Sequence, residues 1–203
     1  MNFFDKAVAA YIGEDRLRKI HGIKVGIAGA GGLGSNCAFN LVRSGFRKLK
    51  IVDFDVVESS NLNRQFYFSD QVGISKVKAL STNLKRINPD LELEVVNERI
   101  TGDNAEGMFG DCDVVVEAFD RAEAKAMIVE KYYKSGKFLV SASGLAGWGN
   151  SDIITTRMIH PNFYIIGDLE SEVSEMLPPA SPRVNLAAAK QADVILNWVI
   201  NEL

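Results

Sequence analysis

An α/β architecture is expected of this chain: a Rossmann-like doubly wound sheet, mostly parallel, with antiparallel C-terminal strands and helices on both faces. Three features lead there. The apolar run Ile23–Ala28 feeds Gly29-x-Gly31-x-x-Gly34 and then a helical run, the strand–loop–helix order of a phosphate-binding unit. A second apolar run ends at Asp53, about 20 residues past the loop, where a ribose hydroxyl would need an acceptor. Strand-like and helix-like segments then alternate as far as Ala142, which argues for parallel strands joined by right-handed crossovers.

Each element has its own signal. Phe3, Phe4, Ala7, Val8 and Tyr11 recur at helical spacing, and Gly13 ends that helix. Asp15 begins a second short helix that stops near His21-Gly22. After the first strand, a helix runs from about Gly32 to Ser44, and the second strand covers Lys48 to Asp53. Ser59 to Asp70 is polar and aperiodic, a loop with a short helical turn. Ile74 to Asn88 is helical, with Val77, Leu80, Leu84 and Ile87 on one stripe and Pro89 beyond its end. Leu91 to Val96 alternates as a half-buried strand, Asp103 to Phe109 is a short helix, and Asp113 to Ala118 is a buried strand leading to Asp120. Arg121 to Lys134 is helical and Phe138 to Ala142 is the fifth strand. Ser151 to Ile159 and Phe163 to Ile166 read as an antiparallel pair. Gly167 to Pro182 is acidic, then proline-rich, and carries no periodicity, which suits a mobile loop. A closing helix spans about Asn185 to Asn201.

Composition narrows the class. A chain of 203 residues suits one domain that buries about 70% of its unfolded surface. The net charge is -3 and no basic block occurs, so nucleic acid is not an expected partner. Met1 to His21 has scattered charges and no long apolar core, so it reads as neither signal peptide nor membrane span. Cys37 and Cys112 are the only cysteines, too few for a zinc site, and a reducing cytoplasm fits them. Both read as packing residues, and His21 and His160 as structural.

The candidate site follows from the rule that open parallel sheets bind ligands outside the carboxyl ends of their strands. The loop glycines Gly29, Gly31, Gly32 and Gly34 lie there, and so do Asp53, Asp55 and Asp120. Carboxylates gathered beside a phosphate repel it unless a cation intervenes, which implies Mg²⁺. Arg64 and Lys76 can meet the remaining phosphate charge. Each residue has an ordinary structural alternative. Asp53 could cap a turn, Asp120 could cap the helix at Arg121, Lys76 could be solvated, and Arg64 could pair with Asp70. The group, rather than any one member, favours function.

Gly29-Ala-Gly-Gly-Leu-Gly-Ser35, Asp53-Phe-Asp-Val-Val-Glu-Ser-Ser-Asn-Leu-Asn-Arg-Gln65, Val72-Gly-Ile-Ser-Lys76-Val, Ile87-Asn-Pro89 and Val114-Val-Val-Glu-Ala-Phe-Asp120 together resemble the ThiF/MoeB/ubiquitin-activating (E1-like) family. The compact length and absence of zinc cysteines look most like the form found in thiamine biosynthesis. The resemblance implies a single adenylation domain: helices over 1–22, a nucleotide core over 23–144, and carrier-binding strands, loop and closing helix over 145–203. It implies ATP-dependent adenylation of the C-terminal glycine of a ThiS-like, ubiquitin-fold sulfur carrier, with a separate sulfur donor. In that scheme Asp53 holds the ribose, with Asp55 beside it. The glycine loop underlies the phosphates, Asn61, Arg64 and Lys76 contact them, and Asp120 binds Mg²⁺. A twofold homodimer is implied, and the Phe3, Phe4, Val8 and Tyr11 stripe needs a surface to cover it.

Three departures from the family stand out. The N-terminal region lacks the Arg-Gln pair that family members often carry and has Lys6, Arg16 and Arg18 instead. No C-x-x-C pair is present, and no cysteine falls where a thioester or persulfide nucleophile is expected. Two other functions compete. An NAD-dependent oxidoreductase would explain the glycines and Asp53 but leave Arg64, Lys76 and Asp120 idle. A non-catalytic scaffold would be expected to have lost the phosphate-contacting residues.

Overall fold

The computed structural model describes residues 1–203. Its elements are α1 (Phe3–Ile12), α2 (Glu14–Gly22), β1 (Lys24–Ala28), α3 (Gly32–Arg43), β2 (Lys48–Val52), α4 (Lys76–Lys85), β3 (Glu92–Val96), α5 (Ala105–Met108), β4 (Val114–Glu117), α6 (Ala122–Tyr132), β5 (Phe138–Ala142), β6 (Thr155–His160), β7 (Phe163–Gly167) and α7 (Ser181–Asn197). They build one seven-stranded sheet in the order β3-β2-β1-β4-β5-β7-β6. Every neighbouring pair is parallel except β6–β7. The expected architecture is present, antiparallel C-terminal pair included. Strand β1 lies between β2 and β4, so the order reverses at the glycine loop.

Alternation along the strands sorts the core into two layers. Val25, Ile27, Leu49, Ile51, Val114 and Val116 pack with Leu41, Leu80, Leu84 and Ile195 of α3, α4 and α7. Ala28, Val52, Val115 and Leu139 face the other way, against Phe109, Ile128 and Tyr132. Strand β4 is buried throughout, the pattern of a central parallel strand covered on both faces.

Several boundaries differ from expectation for local reasons. Helix α4 begins at Lys76 because Ile74 and Ser75 are held elsewhere. Val57 N–H donates to Ile74 O at 2.8 Å, and Val56 bridges Ser75. Helix α7 begins at Ser181, earlier than expected, because Pro182 occupies its first turn, where no intrahelical N–H is needed. Strand β6 begins at Thr155, after a turn at Asp152–Ile153 and the buried Ile154.

Helix α1 divides the expected stripe, with Phe4 and Val8 partly buried and Phe3 and Tyr11 turned outward. Its one fully buried side chain is Asp5, whereas Phe3 is 93% and Tyr11 92% exposed. Asp5 accepts a hydrogen bond from Asn88 Nδ2 at 3.3 Å and lies 3.8 Å from His21 Nε2 and 3.6 Å from Arg47 Nη1. His21 therefore has a partner that spacing alone did not reveal. Burial pulls its pKa below the ordinary value, against the opposing pull of Asp5.

Candidate nucleotide site

The glycine loop is shaped by close contacts. Gly29 takes a left-handed φ of 103°, and a Cβ there would stand 3.0 Å from Ala118 O on neighbouring β4. A Cβ on Gly34 would overlap Gly29 O, so α3 can press onto the loop only without a side chain. A Cβ on Gly32 would stand 2.8 Å from Val184 Cγ1, in the first turn of α7. Gly31 is different: the only atom within reach of a Cβ there is Gln65 Nε2, at 4.0 Å. The space over Gly31 is open, and no side chain caps the N-terminus of α3 that faces it. Its free N–H groups and positive dipole end suit an anion.

Around this loop the predicted residues divide by strand. Past β2, Asp53 accepts from Ala30 N–H through Oδ2 at 2.6 Å and from Asp55 N–H through Oδ1 at 2.8 Å. Two of its about four lone-pair positions remain for hydroxyl donors. Asp55 does not stand beside it as a second free acceptor, because its Oδ2 lies 2.8 Å from Lys76 Nζ. Lys76 is only 7% exposed and is no solvated helix lysine. Tyr67 OH closes the back of the loop with a 2.7 Å hydrogen bond to Ala30 O. Its pKa is raised by burial first and by Asp53 and Asp55 second.

The Asn61–Gln65 segment lies over the start of α3. Arg64 donates through Nη1 to Ser60 O at 3.0 Å and Asn63 Oδ1 at 2.8 Å, rather than pairing with Asp70. Its Cγ would stand 3.8 Å from a Cβ on Gly32. Asn61 is buried and partly engaged in its own turn, accepting from Glu58 N–H at 3.0 Å and donating to Ser60 Oγ at 3.3 Å. Gln65 was not among the expected site residues. It is 9% exposed, its enclosed Oε1 has no partner, and its Nε2 faces Gly31. A buried amide left unpaired costs about 1–3 kcal/mol. Its place in the Asn-Leu-x-Arg-Gln run was the only signal in the sequence.

Past β4, on the other side of the loop, Asp120 is exposed and makes no hydrogen bond or ion pair. It does not cap α6, whose N-cap residue is Arg121. The expected cluster of three carboxylates is not formed: no three His, Cys, Asp or Glu side chains are grouped to hold a metal ion. Asp53 is tied to backbone N–H groups and Asp55 to Lys76, which leaves Asp120 alone as a free carboxylate. One such ligand fits Mg²⁺, which keeps waters and completes its shell with substrate phosphates.

A cleft of about 600 Å³ adjoins the first turn of α7, lined by Trp148, Ile153, Arg157, Glu170, Leu177 and Arg183 among others. Arg183 is buried and donates to Ala146 O, to Trp148 O at 3.1 Å and to Asn150 O at 3.3 Å. The 167–182 segment is not structureless at its ends. Asp168 Oδ1 accepts from Glu170 N–H and Ser171 N–H, each at 2.8 Å, and Gly147 N–H donates to Pro178 O at 2.9 Å. Both cysteines are free and buried. Burial raises the Cys37 thiol and pushes Cys112 up to about 12, the opposite of an activated nucleophile.

A glycine loop at the switch point, an acceptor past β2, a paired lysine and a free carboxylate past β4 define a nucleotide-binding α/β protein of the E1-like type. The chain belongs to the ThiF family, which residues 4–176 match. It is 36% identical over 138 residues to tRNA threonylcarbamoyladenosine dehydratase 2 of Saccharomyces cerevisiae, covering 66% of this chain and 31% of that protein. It is 36% identical over 151 residues to adenylyltransferase and sulfurtransferase UBA4 of Candida glabrata, covering 74% and 34%. The chain thus spans about a third of the length of these curated relatives. Escherichia coli tRNA N6-threonylcarbamoyladenosine dehydratase, TcdA, solved with ATP, matches with a TM-score of 0.88 at 21% identity. That match covers 97% of this chain and 93% of TcdA, a likeness of fold alone. None of these three names points to thiamine biosynthesis.

Proposed function

We propose that this protein uses ATP to adenylate the C-terminal glycine carboxylate of a small ubiquitin-fold, ThiS-like carrier, releasing pyrophosphate, as in thiamine thiazole formation. The observation that carries the reading is the open space over Gly31. Gln65 Nε2 faces it, Arg64 lies beside neighbouring Gly32, Lys76 comes from the β2 side and Asp120 from the β4 side. An NAD-dependent oxidoreductase would have no use for Lys76 or Asp120.

A carboxylate is already ionised at neutral pH, so no general base is needed when it attacks the α-phosphorus. Asp53 would accept from the ribose hydroxyls. The α3 N–H groups, Arg64 and Lys76 would hold phosphoryl oxygens as charge develops on them and on the departing pyrophosphate. Asn61 would add a donor from its amide. Mg²⁺, held by Asp120, would neutralise charge shared between phosphates. Catalysis is then positioning and electrostatics. With both thiols buried, the acyl-adenylate would pass to a separate sulfur donor.

The tRNA named in two of the relatives is the second candidate acceptor. The surface favours the carrier. The segment after β7 exposes Glu170, Glu172 and Glu175 beside Val173 and Met176, and the net charge is -3. An RNA backbone would meet repulsion there, whereas a basic, partly apolar protein surface would not. We further propose a homodimer that covers Phe3 and Tyr11 of α1, and a reducing cytoplasmic setting for the two free thiols. No helix is long and apolar enough to cross a membrane. ATP–pyrophosphate exchange measured with candidate carriers and with bulk tRNA tests the reading. Exchange that depends on a carrier supports it, and exchange with tRNA alone overturns it.

A further inference from the structure

Glu117, the last residue of β4, is fully buried, three residues before Asp120. Its carboxylate is saturated. Oε1 accepts from Phe119 N–H at 2.7 Å and from Lys125 Nζ at 3.2 Å. Oε2 accepts from Ser141 Oγ at 2.6 Å and from Lys125 Nζ at 3.1 Å. The Lys125 ammonium also donates to Ala142 O, at the end of β5, at 2.8 Å. From α7, Gln191 Nε2 donates to Glu117 O at 3.2 Å. The ion pair thus joins β4, β5 and α6 at the carboxyl edge of the sheet, and the Glu117 main chain adds a tie to α7.

Such a pair is poorly explained by stability. Two charges removed from water recover little more than their desolvation cost, and apolar residues of similar volume often serve as well. The geometry offers another reason. Asp120 makes no hydrogen bond or ion pair of its own, so its placement is set by the backbone that carries it. That backbone leaves β4 through Ala118, whose N–H still bonds Ala28 O at 3.0 Å, and then through Phe119, whose N–H bonds the Glu117 carboxylate. Lys125 holds that carboxylate in place from α6, the helix that starts just past Asp120.

We infer that Glu117 and Lys125 are positioning residues that aim Asp120 at a nucleotide-bound divalent cation. The inference rests on the assignment of Asp120 to that cation. Mn²⁺ binding, followed by electron paramagnetic resonance with a non-hydrolysable ATP analogue, tests it on the intact protein. The Glu117→Gln/Lys125→Met variant is nearly isosteric and uncharged. It keeps an acceptor for Phe119 N–H but loses the tie to Ala142 O. The expected result is about tenfold weaker Mn²⁺ binding. The Glu117→Leu/Lys125→Met variant loses that acceptor too and should weaken binding further, towards a hundredfold. Analogue binding without metal should be unchanged in both. If the leucine variant does not fold, the glutamine variant decides alone. Wild-type Mn²⁺ affinity in the folded double variants, with Asp120→Ala impaired, overturns this inference and spares the Asp120 assignment. Wild-type affinity in Asp120→Ala overturns the assignment, and the inference with it.

Discussion

Lys76 Nζ lies 2.8 Å from Asp55 Oδ2, and the backbone reinforces the pairing, since Lys76 N–H donates to Asp55 O at 2.9 Å. The lysine is therefore aimed at the carboxyl edge of β2 before any nucleotide arrives. Lys76→Ala should lower carrier-dependent pyrophosphate exchange by about 10²–10³-fold, the cost of removing one oxyanion donor. Its effect on stability should be about 1 kcal/mol or less, because Asp55 is half exposed and solvent screens the pair. Asp55→Asn keeps the positive charge and should lose less activity than Lys76→Ala. Equal losses in the two variants would mean that Asp55 does more than hold the lysine.

Asp120 offers a cleaner separation of function from folding. It is exposed and unpartnered, so Asp120→Ala should change stability by no more than about 0.5 kcal/mol. Pyrophosphate exchange should nevertheless fall to near background at any Mg²⁺ concentration. A variant with full activity removes Asp120 from the site.

Neither thiol should take part. Cys37→Ala and Cys112→Ala should retain adenylation, at a packing cost of about 1 kcal/mol or slightly more. Iodoacetamide at pH 8 should label neither thiol in the folded protein, since both are buried and raised well above that pH. A reductant-sensitive adduct between carrier and enzyme would contradict this.

Helix α1 leads to a prediction about assembly. It docks on its own core through Asp5 with Phe4, Val8 and Ile12 partly buried, and it presents Phe3 and Tyr11 outward. Phe3→Ser/Tyr11→Ser should weaken self-association by about tenfold or more in sedimentation, as loss of aromatic anchors does. The melting temperature of the monomer should hold, because neither side chain packs within the chain. A wild-type protein that sediments as a monomer at micromolar concentration counts against the dimer.

The sheet was legible because period-two and unbroken apolar runs report burial directly, and the Gly29–Gly34 loop reports a turn that only glycine permits. The strand-end rule puts Asp53 and Asp120 at the carboxyl edge without knowledge of side-chain partners, and Lys76 is singled out only by the charge a phosphate would need and by its motif. What escaped the sequence were those partners. That Asp55 pairs with Lys76 depends on the Val56–Ser75 bridge, a long-range contact with no local signature. Nothing in the sequence sets Glu117 and Lys125 apart from an ordinary strand end and an ordinary helix lysine. Asp5 carried no signal of burial, because periodicity cannot tell which stripe meets the core when a buried aspartate has His21, Arg47 and Asn88 waiting for it.

The last prediction concerns residues 168–180, which lie between the sheet and α7. Their ends are anchored: Asp168 receives two N–H groups and lies 3.9 Å from Arg183, while Pro178 and Pro179 pair with Gly147. Between those anchors, Glu172 to Met176 are exposed. Burial would raise the Asp168 pKa, but the Ser171 and Glu170 N–H groups, the Ser171 hydroxyl and Arg183 outweigh it and hold the group below the ordinary aspartate value. A lowered folded-state value means that this anchor is fully present above the ordinary aspartate range and is lost only as pH falls through the lowered one. At neutral pH, then, the ends should stay fixed while the acidic middle moves. We propose that this middle lies over the carrier's C-terminal tail and excludes water from a hydrolysable acyl-adenylate. Limited proteolysis at pH 7.5 should cut between Glu172 and Leu177 rapidly in the free protein and slowly with carrier and ATP. Glu172→Lys/Glu175→Lys should weaken carrier binding while leaving ATP binding unchanged, because acidic charge here faces a basic carrier rather than phosphate. Equal cleavage rates with and without carrier would leave the segment an ordinary solvated loop.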